Sequence, residues 1–484
     1  MSDQARPDAT PLWQESASAL AQRIRAGEIS AREAVRAAVE RMRAVNPQLN
    51  AVVEDLGEVA IQRADALDSA RAAGATPGPL HGVPVTIKIN VDQRGHATSN
   101  GLPVLKDAIA ADDAPIVRNL LDAGAVVIGR TNTPEFSFRA ETDNPLFGRT
   151  RNPWGDHVSA GGSSGGAGSA VMAGIGALGH GNDIGGSLRF PAAANGAVTV
   201  KPGMGRVPAW NPSQKAERGM LAQAMSVQGV VTRNAADQAL ALPVLFRADP
   251  RDPFHVPLPY AGETLDGPIR VAHVTETYDF PMHPDVARAL DAARAALTDA
   301  GYIVEEAEPP LLREAAVTGY RALMGEVAAL MGPDIEAHGS PTLKAIFAEY
   351  FEQFPPFEGA EQLKAMADRT RFARAWSVFL EQYPLVLTPF LPHPFFRPNR
   401  DAEGPEGVRE ALGAGYYSFA MNFMGLPAGN MPTRLATLPQ GPQPIGVQIV
   451  GRRWREDLIV AAMQAIETRI GTMDRLLWKR MAGV

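Results

Sequence analysis

Between Ala160 and Pro191 the chain reads AGGSSGGAGSAVMAGIGALGHGNDIGGSLRFP, and two of its serines, Ser163 and Ser187, stand in glycine-flanked sites. A serine hydroxyl attacks a carbonyl once a base has taken its proton. Glycine lacks the Cβ that blocks close backbone approach and tolerates positive φ, so consecutive glycines let several N–H groups turn toward one point. At Ile184, Gly185, Gly186 and Ser187 such amides can converge on the oxygen of a tetrahedral intermediate. Fixed dipoles contribute most there, about 3 to 4 kcal/mol per donor.

The second requirement is a base. None of the nine histidines sits in a local pattern with either serine. Lys88 instead ends the apolar run GVPVTI that starts at Gly82. A lysine closing a buried strand is desolvated, which favours the neutral amine, and a neutral amine serves as a general base near neutral pH. A plainer reading is a lysine whose flexible stem carries its charge out to solvent. The run alone supports both.

The elements that must position these groups are readable in outline. Ser30 and Glu33 form a capping-box signature ahead of Val35, Val39 and Met42, which share one helical face, and Asn46-Pro47 is expected to stop that helix. The β-branched runs Val83 to Ile89, Ala125 to Ile128 and Ile445 to Val450 read as buried strands. Strand (IRVAHV from Ile269), helix (Val286 to Leu297) and strand (YIV from Tyr302) make a βαβ unit, which favours a parallel sheet covered on both faces. Leu458, Ala462 and Ile466 mark a C-terminal helix.

Composition narrows the class. With 45% hydrophobic and 20% charged residues the chain is of ordinary globular type, and a net charge of -7 without a basic cluster offers no footprint for nucleic acid or an anionic membrane. There is no cysteine, which excludes disulfides, thiolate metal sites and a cysteine nucleophile. The start, MSDQARPDATPLWQES, is polar and acidic where a secretion signal needs a basic end and an apolar run, so a cytoplasmic protein is expected. From Pro250 to about Arg400 aromatics accumulate, among them Tyr320, Phe347, Tyr350, Phe351, Phe354, Phe357, Phe395 and Phe396. They line a substrate-facing section or fill a second layer of core. Met324, Met331 and Met366 add to an apolar character that suits an apolar acyl or aryl group.

Several longer motifs occur in one order: GVPVTIK ending at Lys88, GRTNTPEF from Gly129, TRNPW from Thr150, GGSSGG from Gly161, NDIGGSLRFPAA from Asn182, KPGMGRVP from Lys201, MGLPAGNMP from Met424 and PIGVQIVGRRWRED from Pro444. Together they resemble the amidase signature family, in its free-standing bacterial form, over nearly the whole chain and least between Pro250 and Arg400. The resemblance implies a single α/β domain over residues 1–484, with a twisted, mostly parallel mixed sheet covered by helices on both sides. It places the catalytic core in residues 65–250 and 410–470, and a divergent substrate-facing section in residues 251–409.

Carried over by position, the resemblance implies Ser187 as nucleophile, Ser163 as proton relay after a cis Gly162–Ser163 peptide, and Lys88 as base. The amides of Ile184, Gly185, Gly186 and Ser187 would form the oxyanion hole. Ser164 would support the loop, Asp183 would pin the oxyanion strand, and Arg189 would stand beside them. No metal and no organic cofactor is implied; the partner is a small-molecule amide, carbamate or ester, and the chain is expected as a monomer or homodimer. Two positions depart from the family pattern: Ile89 replaces the usual aspartate after the lysine, with Asn90 or Asp92 as compensating candidates, and Asn182 replaces a threonine or serine.

Rival readings have specific weaknesses. Gly161 to Gly165 fits G-x-S-x-G, but the preceding RNPWGDHVS reads as loop where a nucleophile elbow needs a strand. Neither glycine cluster is followed by the Gly-Lys-Ser/Thr of a phosphate loop. The glutaminase component of a tRNA-dependent amidotransferase is an alternative within the resemblance, although such chains typically carry threonine where this one has Ile184. A non-catalytic binding protein on the same fold is another, and it would not need all three triad residue types.

Overall fold

The computed structural model describes residues 10–483, so the polar start lies in part outside the described residues. Ser30 accepts from the Glu33 N–H at 3.1 Å while the Glu33 carboxylate accepts from the Ser30 N–H at 2.7 Å, and this reciprocal cap opens the helix Ala31–Leu49. Contrary to expectation, Asn46-Pro47 does not end that helix, which continues to Leu49 and stops at Asn50 in the left-handed conformation. In the last turn proline removes a single helical donor. The Asn46 side chain meanwhile accepts from the Ala51 and Val52 N–H groups at 3.0 and 2.9 Å, turning the chain into the first strand.

Among the described residues eleven strands form one sheet. In chain order they are β1 Val52–Asp55, β2 Pro84–Lys88, β3 Val126–Thr131, β4 Leu178–Asp183, β5 Val198–Lys201, β6 Val227–Thr232, β7 Arg270–His273, β8 Ile303–Glu306, β9 Leu385–Pro389, β10 Ala428–Leu438 and β11 Gly441–Gly451. Their spatial order is β1-β3-β2-β4-β6-β5-β10-β11-β9-β7-β8. The sheet is mixed, as expected, but it is not mostly parallel. Parallel pairing is confined to β3-β2-β4 and β9-β7-β8 near the two edges. From β4 across to β9 every neighbour is antiparallel. The reason is local: β10 and β11 are joined by a tight turn, and hairpin partners can only run antiparallel. The βαβ reading holds where it was made, since β7 and β8 pair in parallel around the helix Pro284–Asp299.

Alternation along the strands shows that both faces are covered. Val127 of β3 and Leu385 and Leu387 of β9 belong to one large core with the helices Pro284–Asp299 and Glu456–Ile470. Their neighbours Val126 and Ile128 pack on the opposite face with the helix Ala31–Leu49, and Val386 packs there with the helices Leu312–Leu330 and Tyr416–Met424. A period of two with both sides apolar is what a doubly covered sheet requires. Residues 251–409 therefore divide: β7, β8 and β9 complete the sheet edge, and the helices between β8 and β9 stack over the end of the glycine–serine segment.

Candidate active site

Lys88 is the last residue of β2, flanked by β3 and β4, and its side chain is fully buried. The solvent-reaching alternative is thereby removed. Its Nζ lies 2.7 Å from Ser163 Oγ, 3.1 Å from Ser164 Oγ and 2.9 Å from Asn182 Oδ1. Burial drives the amine well below the ordinary lysine range, and the charge of Asp183 recovers only part of that shift. A neutral amine in contact with a hydroxyl can exchange a proton with it.

Ser163 and Ser164 lead into the helix Gly165–Met172, with a cis peptide between Gly162 and Ser163. Gly162 is a steric necessity, because a Cβ there would stand 2.2 Å from the Arg139 carbonyl oxygen. Ser164 does more than support the loop, since its hydroxyl touches Lys88 and bonds the Asn182 carbonyl at 3.3 Å. Asn182 replaces the usual hydroxyl residue and binds Lys88 directly; its amide donates to Asn90 Oδ1 at 3.0 Å, and Asn90 in turn donates to Ser137 at 2.9 Å. Of the two compensating candidates Asn90 joins the Lys88 network, whereas Asp92 accepts from Ser213 and Thr98 and anchors another loop. Ile89 is buried core.

The strand end at Asp183 organises the second serine. Its carboxylate accepts from the Gly186 N–H at 2.7 Å and the Leu188 N–H at 3.2 Å, and forms a two-point ion pair with Arg189, both contacts at 3.0 Å. Burial pushes this carboxyl upward, but Arg189, Lys201 and the Leu188 N–H together outweigh it and the net shift is downward, so the group stays ionised. Arg189 also donates to the Ser418 carbonyl, to Gln448 Oε1 and to Asn422. Ser418 Oγ donates to the Gly185 carbonyl at 2.9 Å and Asn422 to the Asp183 carbonyl at 3.1 Å. One expectation is corrected here: the Gly186 N–H is already taken by Asp183 and is not available to an oxyanion. The N–H groups of Ile184, Gly185 and Ser187 have no protein partner among the described residues.

Two connected chambers meet at Ser187. The inner one, about 80 Å³, is walled by Phe138, Tyr320, Leu323, Met324, Phe347 and Phe419 beside Ile184 to Ser187. The outer one, about 490 Å³, holds Ser163 and Ser187 on its floor and is more polar, with Asn90, Asn211, Gln214 and Arg218. Tyr320, Phe347, Tyr350 and Met324 thus face the inner chamber and Met331 the outer. Phe354 backs Tyr320 at 4.7 Å and Phe395 packs on Phe190 at 6.0 Å, as core.

Sequence reasoning missed Ser418, Asn422 and Gln448. A signal was present for two of them: Ser418 and Asn422 lie four apart on the otherwise apolar helix Tyr416–Met424, a polar stripe that ends up buried. His180 was also passed over. It is buried on β4, where its Nδ1 accepts from the Lys88 backbone N–H at 3.4 Å and its Nε2 bonds Gln228 at 2.9 Å. Burial pushes it down to about 4, so it is a neutral brace for the strand.

Residues 33–460 match the family described as Amidase. An indoleacetamide hydrolase of Bradyrhizobium diazoefficiens is 47% identical over 97% of this chain and 89% of its own length. The A-subunit of the glutamyl-tRNA(Gln) amidotransferase of Moorella thermoacetica is 32% identical over 94% of this chain and 96% of its own. Among solved structures, a bacterial aryl acylamidase superposes with a TM-score of 0.82 at 25% identity, covering 98% of this chain and 100% of its own. A 6-aminohexanoate cyclic dimer hydrolase complexed with substrate gives 0.80 at 29%, covering 95% and 98%. The chain belongs to the amidase signature family and is a hydrolase of amides.

Proposed function

We propose that the protein hydrolyses small arylacetamides, with indole-3-acetamide as the test compound, through an acyl-enzyme on Ser187. The observation that carries the chemistry is the 2.7 Å contact between the buried Lys88 amine and Ser163, which shares the outer chamber floor with Ser187. Neutral Lys88 draws a proton through Ser163 from Ser187, whose oxygen adds to the carbonyl. The N–H groups of Ile184, Gly185 and Ser187 receive the developing negative charge, and Asp183 holds their loop by binding the Gly186 N–H. The relay returns the proton to the leaving nitrogen, ammonia departs, and water activated by the same relay releases the acid.

The substrate class rests on the 47% identity to an indoleacetamide hydrolase and on the aromatic walls of the inner chamber. The amidotransferase alternative fits those walls poorly. A glutaminase must hold an ammonium and a carboxylate; among the described residues the inner chamber has one charged side chain, Arg139, already paired with Asp401 at 2.9 Å, so a glutamine would have to place both groups in the outer chamber beside Glu217, Arg218 and Glu326.

The test is hydrolysis of indole-3-acetamide beside glutamine, an aryl carbamate and an anilide, with Ser187→Ala and Lys88→Ala in parallel. The expected result is release of ammonia and the aryl acid by the parent chain, falling by about 10⁴-fold or more in Ser187→Ala. Retained turnover in Ser187→Ala sinks the nucleophile assignment. A preference for glutamine sinks the substrate class.

A further inference from the structure

The inner chamber is apolar, and most polar side-chain atoms on its wall are committed within the protein. Ser137 donates to Asn100 at 2.7 Å, Arg139 pairs with Asp401, and the Tyr320 hydroxyl donates to the Leu412 carbonyl at 2.6 Å. Two lining hydroxyls have no protein hydrogen-bond partner among the described residues, that of Ser187 and that of Tyr350, and neither is sealed from solvent. The first is the group already assigned to attack the substrate.

Tyr350 sits near the end of the helix Pro341–Gln353 and is 5% exposed. Its ring is fixed edge-on to Tyr320 at 5.8 Å and tilted against Phe354 at 5.4 Å. A tyrosine hydroxyl left without a protein partner on a chamber wall is free to bond what enters the chamber. Phenylalanine would supply the same ring without that group. Burial also holds the phenol well above its usual range, so it remains an O–H.

We propose that the Tyr350 hydroxyl oxygen accepts a hydrogen bond from a donor on the rim of the substrate's acyl ring, an N–H such as that of an indole, and so selects a nitrogen heterocycle bearing N–H over a hydrocarbon ring of equal size. This rests on the arylacetamide reading above and goes beyond it by assigning the selectivity to one atom. A site that hydrogen-bonds a substrate group discriminates against the analogue lacking it, because the site's own polar atom is then left unpaired.

The experiment compares kcat/KM for indole-3-acetamide, 1-methylindole-3-acetamide and 1-naphthaleneacetamide in the parent chain and in Tyr350→Phe. The expected result is a parent preference for indole-3-acetamide of about tenfold, the scale of one neutral hydrogen bond. In Tyr350→Phe that preference collapses, because turnover of the indole falls while that of the naphthalene compound is unchanged. Equal losses for both compounds would assign Tyr350 a packing role and overturn the proposal, as would no change for either. If the parent chain cleaves both rings equally well, the Tyr350 proposal falls and the arylacetamide reading stands. If it cleaves none of the three yet hydrolyses an aliphatic amide through Ser187, both fall together.

Discussion

The glycine–serine segment and the helices Leu312–Leu330 and Pro341–Gln353 face each other across the inner chamber, and they are held by opposite means. At the segment the charged side chains are held by directed bonds: Lys88, reaching in from β2, has three side-chain partners, Asp183 binds two backbone N–H groups and one guanidinium, and Arg189 reaches three further residues. In the helices the chamber wall consists of stacked rings and aliphatic chains, such as Tyr320 on Phe419 at 3.9 Å. Directed bonds hold Lys88, Asp183 and Arg189 in one arrangement. Apolar packing tolerates exchange of shape at constant volume. Under the proposed function, reaction and selectivity would be carried by separable parts of one fold.

That separation can be broken most sharply at Asp183→Asn. Losing one member of a buried ion pair leaves Arg189 uncompensated, and the expected loss is about 3 to 5 kcal/mol in chemical denaturation, with a fall in turnover as the Gly186 N–H loses its carboxylate. A loss below about 1 kcal/mol would mean that the floor is not the rigid half. Lys88→Met tests the same floor through pH. The folded amine titrates below its ordinary value of 10.5, so between the two values the unfolded chain holds an extra proton and parent stability climbs with rising pH, at most by about 1.4 kcal/mol per pH unit. Denaturation midpoints measured up to about pH 10 should climb more steeply in the parent than in Lys88→Met, where the buried Lys201, itself lowered to about 7, still contributes, while parent kcat/KM declines on the acid side as Lys88 takes a proton. Identical pH profiles for the two proteins would contradict a neutral buried amine. The smallest effect is expected at Met324→Leu in the opposite wall. Stability should change by less than about 1.5 kcal/mol, while the ratio of kcat/KM between bulky and slender acyl groups shifts several-fold. A uniform loss over all substrates would instead tie Met324 to the floor.

The floor was largely legible because its constraints are local. Glycines at 161, 162, 185 and 186 and the apolar run before Lys88 announce where backbone must pack closely and where an amine is buried. What its supports bind was not legible: the polar stripe of Ser418 and Asn422 marks a buried polar contact, but Asn422 and Gln448 approach Arg189 from more than two hundred residues away and only the sheet order brings them there. The direction of the Gly186 N–H was beyond sequence for a related reason: a carboxylate and an incoming oxyanion compete for it, and coordinates decide which is nearer. Strand direction failed in the centre because the parallel βαβ unit at β7 and β8 was extended to a sheet whose middle is governed by the β10–β11 hairpin.

During biosynthesis the same hairpin emerges last of all the strands. β5 and β9 are flanked on one side by partners made earlier or nearby, but their other edges pair only with β10 and β11, residues 428–451. Until those residues leave the ribosome, the growing chain carries two sheet fragments with open edges. Such edges are templates for strand addition by another chain. Late closure across a long sequence separation is also slow, so yield in the cell should depend on temperature and chaperone supply more steeply than the stability of the finished enzyme does.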